Sequence, residues 1–189
     1  MPTALDDSHA QDTDEQLVQR SQRGDTHAFR QLYQRHQHRV RAILYPLCDP
    51  TELDDLVQDV FLRAWKGLPN FRQTAKFSTW LYRIAWNVAS DQRQAAAKGR
   101  TQIQELSRYA PTQYDAPSLT HLHYQDVVEQ GLRSLSLDHR MVLTLHDLEE
   151  LPQKEIAEIL AIPVGTVKSR LFHARAAMRQ FLEQAGVQL

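Results

Sequence analysis

The residues between Thr166 and Leu182 combine basic, polar and aromatic side chains at spacings that suit nucleic-acid binding. On a helical wheel the apolar residues of this stretch share one side, whereas small polar groups and a phenylalanine occupy the opposite side with cations along both flanks. No acidic residue occurs between these positions. Such a side fits a DNA major groove, where polar and aromatic groups reach base edges and cations meet phosphates. We call it the reading face: Thr166, Lys168, Ser169, Arg170, Phe172, His173, Arg175 and Arg179.

Two helices joined by a tight turn are predicted to position the reading face. Pro152 opens the first helix at a position where its missing N–H costs nothing, and Ala161-Ile162-Pro163 breaks the chain before the second. This is the pattern of a helix-turn-helix. The alternative is a solvated basic helix on which Phe172 is merely exposed. The turn, the spacing and the segregation of charge all favour DNA binding.

A second helix carries acids and amides on one side and a continuous apolar stripe on the other. Thr51 is expected to be its N-cap, and Leu53, Leu56, Val57, Val60, Phe61 and Ala64 form the stripe. Leu62 lies among the acids, where it is either an ordinary exposed leucine or the anchor for a partner helix that carries basic groups. We call this side, with Trp65 at its margin, the acidic face: Asp54, Asp55, Gln58, Asp59, Leu62 and Trp65.

A third helix, predicted from Ser78 as N-cap to Arg93, interleaves aromatic rings with arginines. Its side opposite the apolar residues shows Trp80, Arg83, Trp86, Asn87, Ser90 and Arg93. Rings and cations arranged in this way can stack unpaired bases and hold their backbone. The alternative is that Trp80 and Trp86 pack onto neighbouring helices as core, because tryptophan is often largely buried.

Apolar residues recur at helical spacing along most of the 189 residues and no alternating strand pattern is present, which predicts an all-α fold of two small helical domains. The predicted organisation is an acidic disordered tail (1–13), a first domain (14–97), a flexible linker (98–118) and a second domain (119–189). Helices are expected over residues 14–23 and 26–47 in the first domain, and over 122–134 and 138–149, with Asp138 as N-cap, before the helix-turn-helix.

Composition excludes several functional classes. Cys48 is the single cysteine, so an internal disulfide is excluded, and no secretory signal or apolar run of the ~20 residues that a membrane span needs is present. A cytoplasmic protein without direct membrane insertion is expected. His36 and His38 point different ways on a helix, and neighbouring acids such as Glu149 and Glu150 diverge by about 100°, so we expect no metal, no cofactor and no enzymatic activity.

The net charge of −1 hides an uneven distribution of charge. Between residues 16 and 100, Lys and Arg outnumber Asp and Glu two to one, whereas the first 15 residues carry acids and neither Lys nor Arg. A basic first half and a locally basic reading face are expected to attract nucleic acid at two separated places.

Two long runs resemble a known family. DLVQDVFLRAWKGLPNF (55–71), continued by FSTWLYRIAWN (77–87), is similar to the first promoter-reading domain of bacterial sigma factors, and residues 136–178 are similar to the second. With only these two domains and a short linker, the chain resembles the extracytoplasmic-function (ECF) group. It departs from the family at Ala161, where glycine is usual in the turn.

The resemblance implies a subunit that binds core RNA polymerase, recognises promoter DNA and helps to melt it. It implies that the acidic face docks on core polymerase, that the reading face binds the −35 element, and that an anti-sigma factor is a partner. No small-molecule substrate is implied. It also assigns contacts with the −10 element, including capture of a flipped base, to the loop 70–77 and the helix that follows. We call these residues the loop face: Asn70, Phe71, Lys76, Phe77, Trp80, Arg83, Trp86 and Asn87.

The strongest alternative is a stand-alone helix-turn-helix regulator whose first half senses a ligand or dimerises. It predicts specific duplex binding without polymerase, whereas a sigma factor is predicted to co-purify with core polymerase.

Overall fold

The computed structural model describes residues 12–106 and 124–187. Within these ranges the chain is helical and contains no strand, which confirms the all-α prediction. The first unit contains α1 (Asp14–Gln22), α2 (Thr26–Leu44), α3 (Leu53–Gly67) and α4 (Phe77–Leu106). The second contains α5 (Tyr124–Ser134), α6 (Leu137–Leu143), α7 (Gln153–Leu160) and α8 (Val164–Gln184).

The core of the first unit is built from the apolar stripes of its four helices. Leu17 of α1, Leu32 of α2, Val60 of α3 and Leu81 of α4 are fully buried. The predicted stripe of α3 is confirmed, since all six of its apolar members are buried. Packing of these stripes, rather than helix propensity alone, holds short helices such as α1 in place.

The end of α2 and the start of α3 differ from the predictions. α2 ends at Leu44 and continues as a 3-10 turn over Tyr45–Leu47, because Pro46 has no N–H to donate within an α-helix. Thr51 is not the N-cap of α3. Its N–H instead donates to Asp49, which caps a short 3-10 turn (Pro50–Glu52) that leads into α3.

α4 is longer than predicted at both ends. It begins at Phe77, so Ser78 lies inside the first turn and is not the N-cap. It continues to Leu106, beyond the predicted end at Arg93, in keeping with the high helix propensity of the alanines at 95–97. Residues 98–106, predicted as linker, are therefore helical, and the rest of the predicted linker, 107–118, lies outside the described residues.

The first folded residues precede the predicted domain start. Thr13 is the N-cap of α1 and forms a reciprocal capping box with Gln16, and Asp12 pairs with Arg20 at 2.5 Å. The other residues of the predicted tail, 1–11, lie outside the described part of the chain.

The second unit packs α6 and α7 against α8. Ser136, and not the predicted Asp138, is the N-cap of α6, because its hydroxyl accepts the His139 N–H at 3.3 Å. α6 passes directly into a π-helical turn over Thr144–Leu148. Met141, Ile156 and Val167 are fully buried at the centre of this unit.

Candidate nucleic-acid and protein interfaces

The reading face lies on α8 as predicted. Val167, Leu171 and Ala174 are buried against the rest of the second unit. Ser169 and His173 are exposed on the opposite side. Phe172 is 71% exposed, so its aromatic ring is in contact with solvent. The helical-wheel assignment is therefore confirmed, and α8 presents polar and aromatic groups in the manner a major groove requires.

The turn that aims α8 contains a left-handed alanine. Ala161 has φ 53° and ψ 43°, and the Ile162 N–H donates to the Ala157 carbonyl at 3.1 Å, closing the end of α7. This is the conformation that the usual glycine would adopt without strain. In alanine the Cβ makes it less favourable by about 1 kcal/mol.

Two arginines of the reading face are held by carboxylates that sequence reasoning did not identify. Asp147, in the π-helical turn, accepts two hydrogen bonds from Arg175, and Asp138 pairs with Arg170 at 2.8 Å. Lys168 and Arg179 are exposed and have no ion pair among the described residues. A helical wheel of α8 alone could not predict these pairs, because the two carboxylates lie on α6 and on the π-helical turn that follows it.

The acidic face forms one wall of a cleft of about 630 Å³ between α2 and α3. Leu62 is 49% exposed. The Phe29 and Trp65 rings, whose centroids are 4.9 Å apart, line the cleft beside it. Asp55 and Gln58 are exposed. Asp54 is paired with Arg41 and Asp59 with Arg63, so part of the negative charge is already balanced within the chain.

The loop face is more buried than the sequence predicted. Asn70, Lys76, Arg83 and Asn87 are exposed, but Phe71 and Phe77 are buried and Trp80 and Trp86 are partly buried. Of the two arrangements that the sequence left open for Trp80 and Trp86, an exposed stacking platform or packing onto neighbouring helices, the structure favours packing, with both rings partly exposed. The rings gain more by packing, as shown by the Trp80 ring, which stacks on Phe71 with their centroids 4.7 Å apart.

A cavity of about 230 Å³ lies between the loop and the start of α4. Its walls combine the Trp80 and Phe71 rings with the polar side chains of Asn70, Thr79 and Arg83. Gln22, which sequence reasoning missed, fixes this loop by donating to the Leu68 and Phe71 carbonyls at 3.0 and 2.8 Å.

α7 of the second unit packs on the loop face. The Thr79 hydroxyl donates to Glu155 at 3.0 Å, Arg83 donates to the Glu158 carbonyl, and Lys76 Nζ lies 3.9 Å from the Glu155 carboxylate. These contacts join residues some 75 positions apart in sequence. The first helix of the helix-turn-helix thus occupies part of the surface assigned to the −10 element.

Further contacts join the units, among them the hydrogen bond from the Tyr45 hydroxyl to the Glu129 carboxylate at 3.2 Å. Arg39 donates to the carboxylate and the carbonyl of Glu149, both at 2.8 Å. The buried Arg140 donates to the carbonyls of Pro46, Arg133 and Leu135, and burial lowers the pKa of its guanidinium. A buried cation bound by carbonyl dipoles instead of a carboxylate is a demanding arrangement, and sequence reasoning did not identify it.

The described residues contain no cluster of three or more side chains suited to hold a metal ion. Among the described helices, none has the length and apolar character to cross a membrane.

Known proteins resemble this chain along both units. Residues 32–99 match the family sigma-70 region 2, and residues 125–178 match sigma-70 region 4. The RNA polymerase sigma-H factor of Pseudomonas aeruginosa is 36% identical over 186 residues, covering 92% of this chain and 95% of the relative. The ECF RNA polymerase sigma-E factor of Escherichia coli is 36% identical over 178 residues, covering 88% and 92%. This chain belongs to the ECF group of sigma factors.

Solved structures share the fold of this sigma factor. CnrH, solved in complex with the cytosolic domain of CnrY, is 26% identical with a TM-score of 0.69, covering 92% of this chain and 99% of that one. The sigma factor RpoE of Bartonella quintana, solved with the anti-sigma factor NepR, is 24% identical with a TM-score of 0.65, covering 82% and 96%. The relatives support a sigma factor that acts in transcription initiation, and not the stand-alone regulator.

Proposed function

We propose that this sigma factor divides promoter recognition among its three faces. The acidic face binds core RNA polymerase, the loop face holds the non-template strand of the −10 element, and the reading face binds the −35 element. The functional units are residues 14–97 and 119–189, as the sequence predicted. The observation that carries the proposal is the exposed Leu62 beside an aromatic cleft, because an apolar anchor ringed by acids and amides fits a helix that carries apolar and basic groups.

The cavity beside the loop supports a role for this chain in melting the DNA duplex at the −10 element. Extruding a base costs a few kcal/mol of lost stacking and pairing, which a protein offsets by binding the extruded base. The cavity offers Trp80 and Phe71 as apolar walls and Asn70 and Thr79 as polar partners for base edges. The exposed Arg83 is placed to meet the strand's phosphates. In this arrangement the buried rings act as a rigid wall rather than an open stacking platform.

Recognition of the −35 element uses α8. Ser169, Phe172 and His173 face base edges, while Lys168 and Arg179, which share one flank of α8, meet phosphates along that flank. Each element alone supplies few contacts, so stable binding requires that polymerase hold both units on one promoter.

The polymerase performs the chemistry of transcription, and we assign no catalytic residue or cofactor to this chain. It works in the cytoplasm, where polymerase and promoter meet. Because RpoE of Bartonella quintana was solved with an anti-sigma factor, we also propose an anti-sigma partner for this chain, which inhibits it by covering the acidic face.

Substitution of the acidic face tests this proposal. Asp55→Arg combined with Leu62→Arg is expected to abolish co-elution with core polymerase, since it puts cations where basic groups must dock. Asp126→Arg with Leu148→Arg is the matched control, because it changes the same residue types at exposed positions in the second unit. Unchanged co-elution of the first variant, with circular dichroism showing an intact fold, would refute docking through this face.

A further inference from the structure

The Arg175 side chain is held at both of its inner nitrogens by one carboxylate. Its Nε–H donates to Asp147 Oδ2 at 2.9 Å and its Nη2 donates to Asp147 Oδ1 at 2.5 Å. Two parallel bonds of this kind fix the plane of a guanidinium as well as its position. The aim of the Arg175 side chain is therefore set by α6 and its π-helical extension, and not by α8 alone.

His146 completes the group around Arg175. Its Nδ1 lies 2.6 Å from Asp147 Oδ1 and 3.1 Å from Arg175 Nη2. A protonated Nδ1 donates to the carboxylate, and an unprotonated one accepts from the guanidinium.

The π-helical turn is what brings Asp147 to this place. In that turn the Glu149 N–H donates to the Thr144 carbonyl, five residues earlier, at 2.9 Å. A π turn contains one more residue than an α turn between bonded groups, so it changes the direction of the side chains that follow. Single π turns inside helices occur frequently at functional sites.

We propose that Asp147 is a positioning residue that aims Arg175 at a phosphate bordering the −35 element, an inference that rests on the proposed function of the reading face. A guanidinium has five N–H donors, and Asp147 occupies one on Nε and one on Nη2. Nη1 has no partner among the described residues, and the side chain is 52% exposed. The outer end of Arg175 is therefore available for a phosphate while its inner side stays bound to Asp147.

Arg170 provides a contrast within the same helix. Its side chain is 25% exposed and is paired with Asp138 through one contact at 2.8 Å. It is therefore turned towards α6, whereas Arg175 is turned outward.

The pair is present throughout the neutral pH range. The hydrogen bond from Arg175 lowers the pKa of Asp147. This carboxyl is therefore ionised at neutral pH and stays ionised at pH values somewhat below the ordinary pKa of an aspartate. The pair is lost only when the pH falls through that lowered pKa.

If Asp147 does not position Arg175, its removal is expected to change DNA binding in the opposite direction from the one that our proposal predicts. By charge alone Asp147 repels phosphates, so its neutralisation would tighten binding and make it more dependent on salt. If Asp147 aims Arg175, neutralisation instead weakens binding and makes it less dependent on salt, because a phosphate contact is lost. The two interpretations therefore predict opposite changes in DNA affinity and opposite changes in its dependence on salt.

The test measures promoter binding by the holoenzyme over a series of salt concentrations. The probe is a promoter duplex selected by the wild-type holoenzyme from a random library, and its partner is the same duplex with the upstream element scrambled. Asp147→Asn is expected to weaken binding about three- to fivefold, the range of a single exposed ion pair. The slope of log affinity against log salt should shrink by up to ~0.9, the value for one phosphate.

Three further variants make the result specific. Arg175→Ala should weaken binding at least as much, Asp147→Asn should have no further effect in the Arg175→Ala background, and Asp147→Glu should restore part of the affinity. Equal or tighter binding by Asp147→Asn, or a loss that persists without Arg175, would overturn the positioning role while leaving the proposed function intact. Equal binding of the two duplexes by the wild type would overturn the proposed function, and this inference with it.

Discussion

The reading face and the loop face differ in what covers them. Phe172 and its neighbours on α8 stand in solvent, whereas the loop face is in contact with α7 through Thr79, Arg83 and Lys76. Both faces are assigned to DNA, yet only the reading face is open in the isolated chain. In this arrangement the surface proposed for the −35 element is exposed, while part of the surface proposed for the −10 element is in contact with the chain's own second unit.

The groups that occupy the loop face resemble those of DNA in charge. The Glu155 carboxylate lies 3.9 Å from Lys76, and the Glu158 carbonyl accepts from Arg83, the side chain proposed to meet the phosphate backbone. Oxygen acceptors of α7 and of the strand therefore compete for Lys76 and Arg83. Under the proposed function, binding of the −10 element by Arg83 requires that α7 move away from α4.

The largest effect is expected from reversing the charge at this contact. Glu155→Arg places a cation against Lys76 and removes the acceptor of Thr79, so it should separate the units. Small-angle scattering should show a larger radius of gyration. The isolated chain should bind a fluorescent single strand that carries the −10 element about tenfold more tightly, measured by anisotropy.

Glu183→Arg is the matched control, because it makes the same change of charge on an exposed residue near the end of α8. If both variants bind the strand equally, the gain comes from net charge and the difference between the two faces has no functional consequence.

An intermediate effect is expected on stability when an aromatic residue of each face is truncated. Trp80→Ala should lower the free energy of unfolding by about 2–3 kcal/mol, because the ring stacks on Phe71 and contacts the core. Phe172→Ala should change it by less than ~0.5 kcal/mol, as expected for an exposed side chain. Denaturant titration of both variants measures the difference. Equal losses would mean that the reading face is as buried as the loop face.

The smallest effect is expected at the turn before α8. Ala161→Gly removes the strain of an alanine in the left-handed conformation, and this relief favours the folded state by about 1 kcal/mol. The glycine also gives the unfolded chain more conformational freedom, which opposes the gain. The thermal midpoint should rise by a few degrees or less, with unchanged contacts on the loop face. A lower midpoint would show that the added freedom of the unfolded chain outweighs the relief of strain at Ala161.

The sequence predicted which side of each helix is buried far better than where each helix ends. The stripe of α3 and the outward side of α8 were correct because the 3.6-residue period reports one helix at a time. The caps expected at Thr51, Ser78 and Asp138 were each displaced, because several polar residues near a helix start compete for the same N–H groups and the backbone path selects one.

The relation between helices was beyond what periodicity can predict. Trp80 and Trp86 lie on the side of α4 away from its apolar stripe, but other elements cover that side. The partners of Arg170 and Arg175 come from α6 and the turn that follows it. Such contacts depend on how elements are placed in three dimensions, which no single helical wheel contains.

The buried Arg140 has a consequence for how readily the two units come apart. Of the three carbonyls that it binds, those of Arg133 and Leu135 belong to its own unit and only that of Pro46 is across the boundary. Separation therefore exchanges one charged hydrogen bond for one to water and leaves the other two carbonyls bound to the guanidinium, at a net cost of about 1.5–3 kcal/mol. Arg140 therefore supplies only a small part of the free energy that holds the units together, and the contacts of Arg39, Thr79 and Arg83 must break in the same separation.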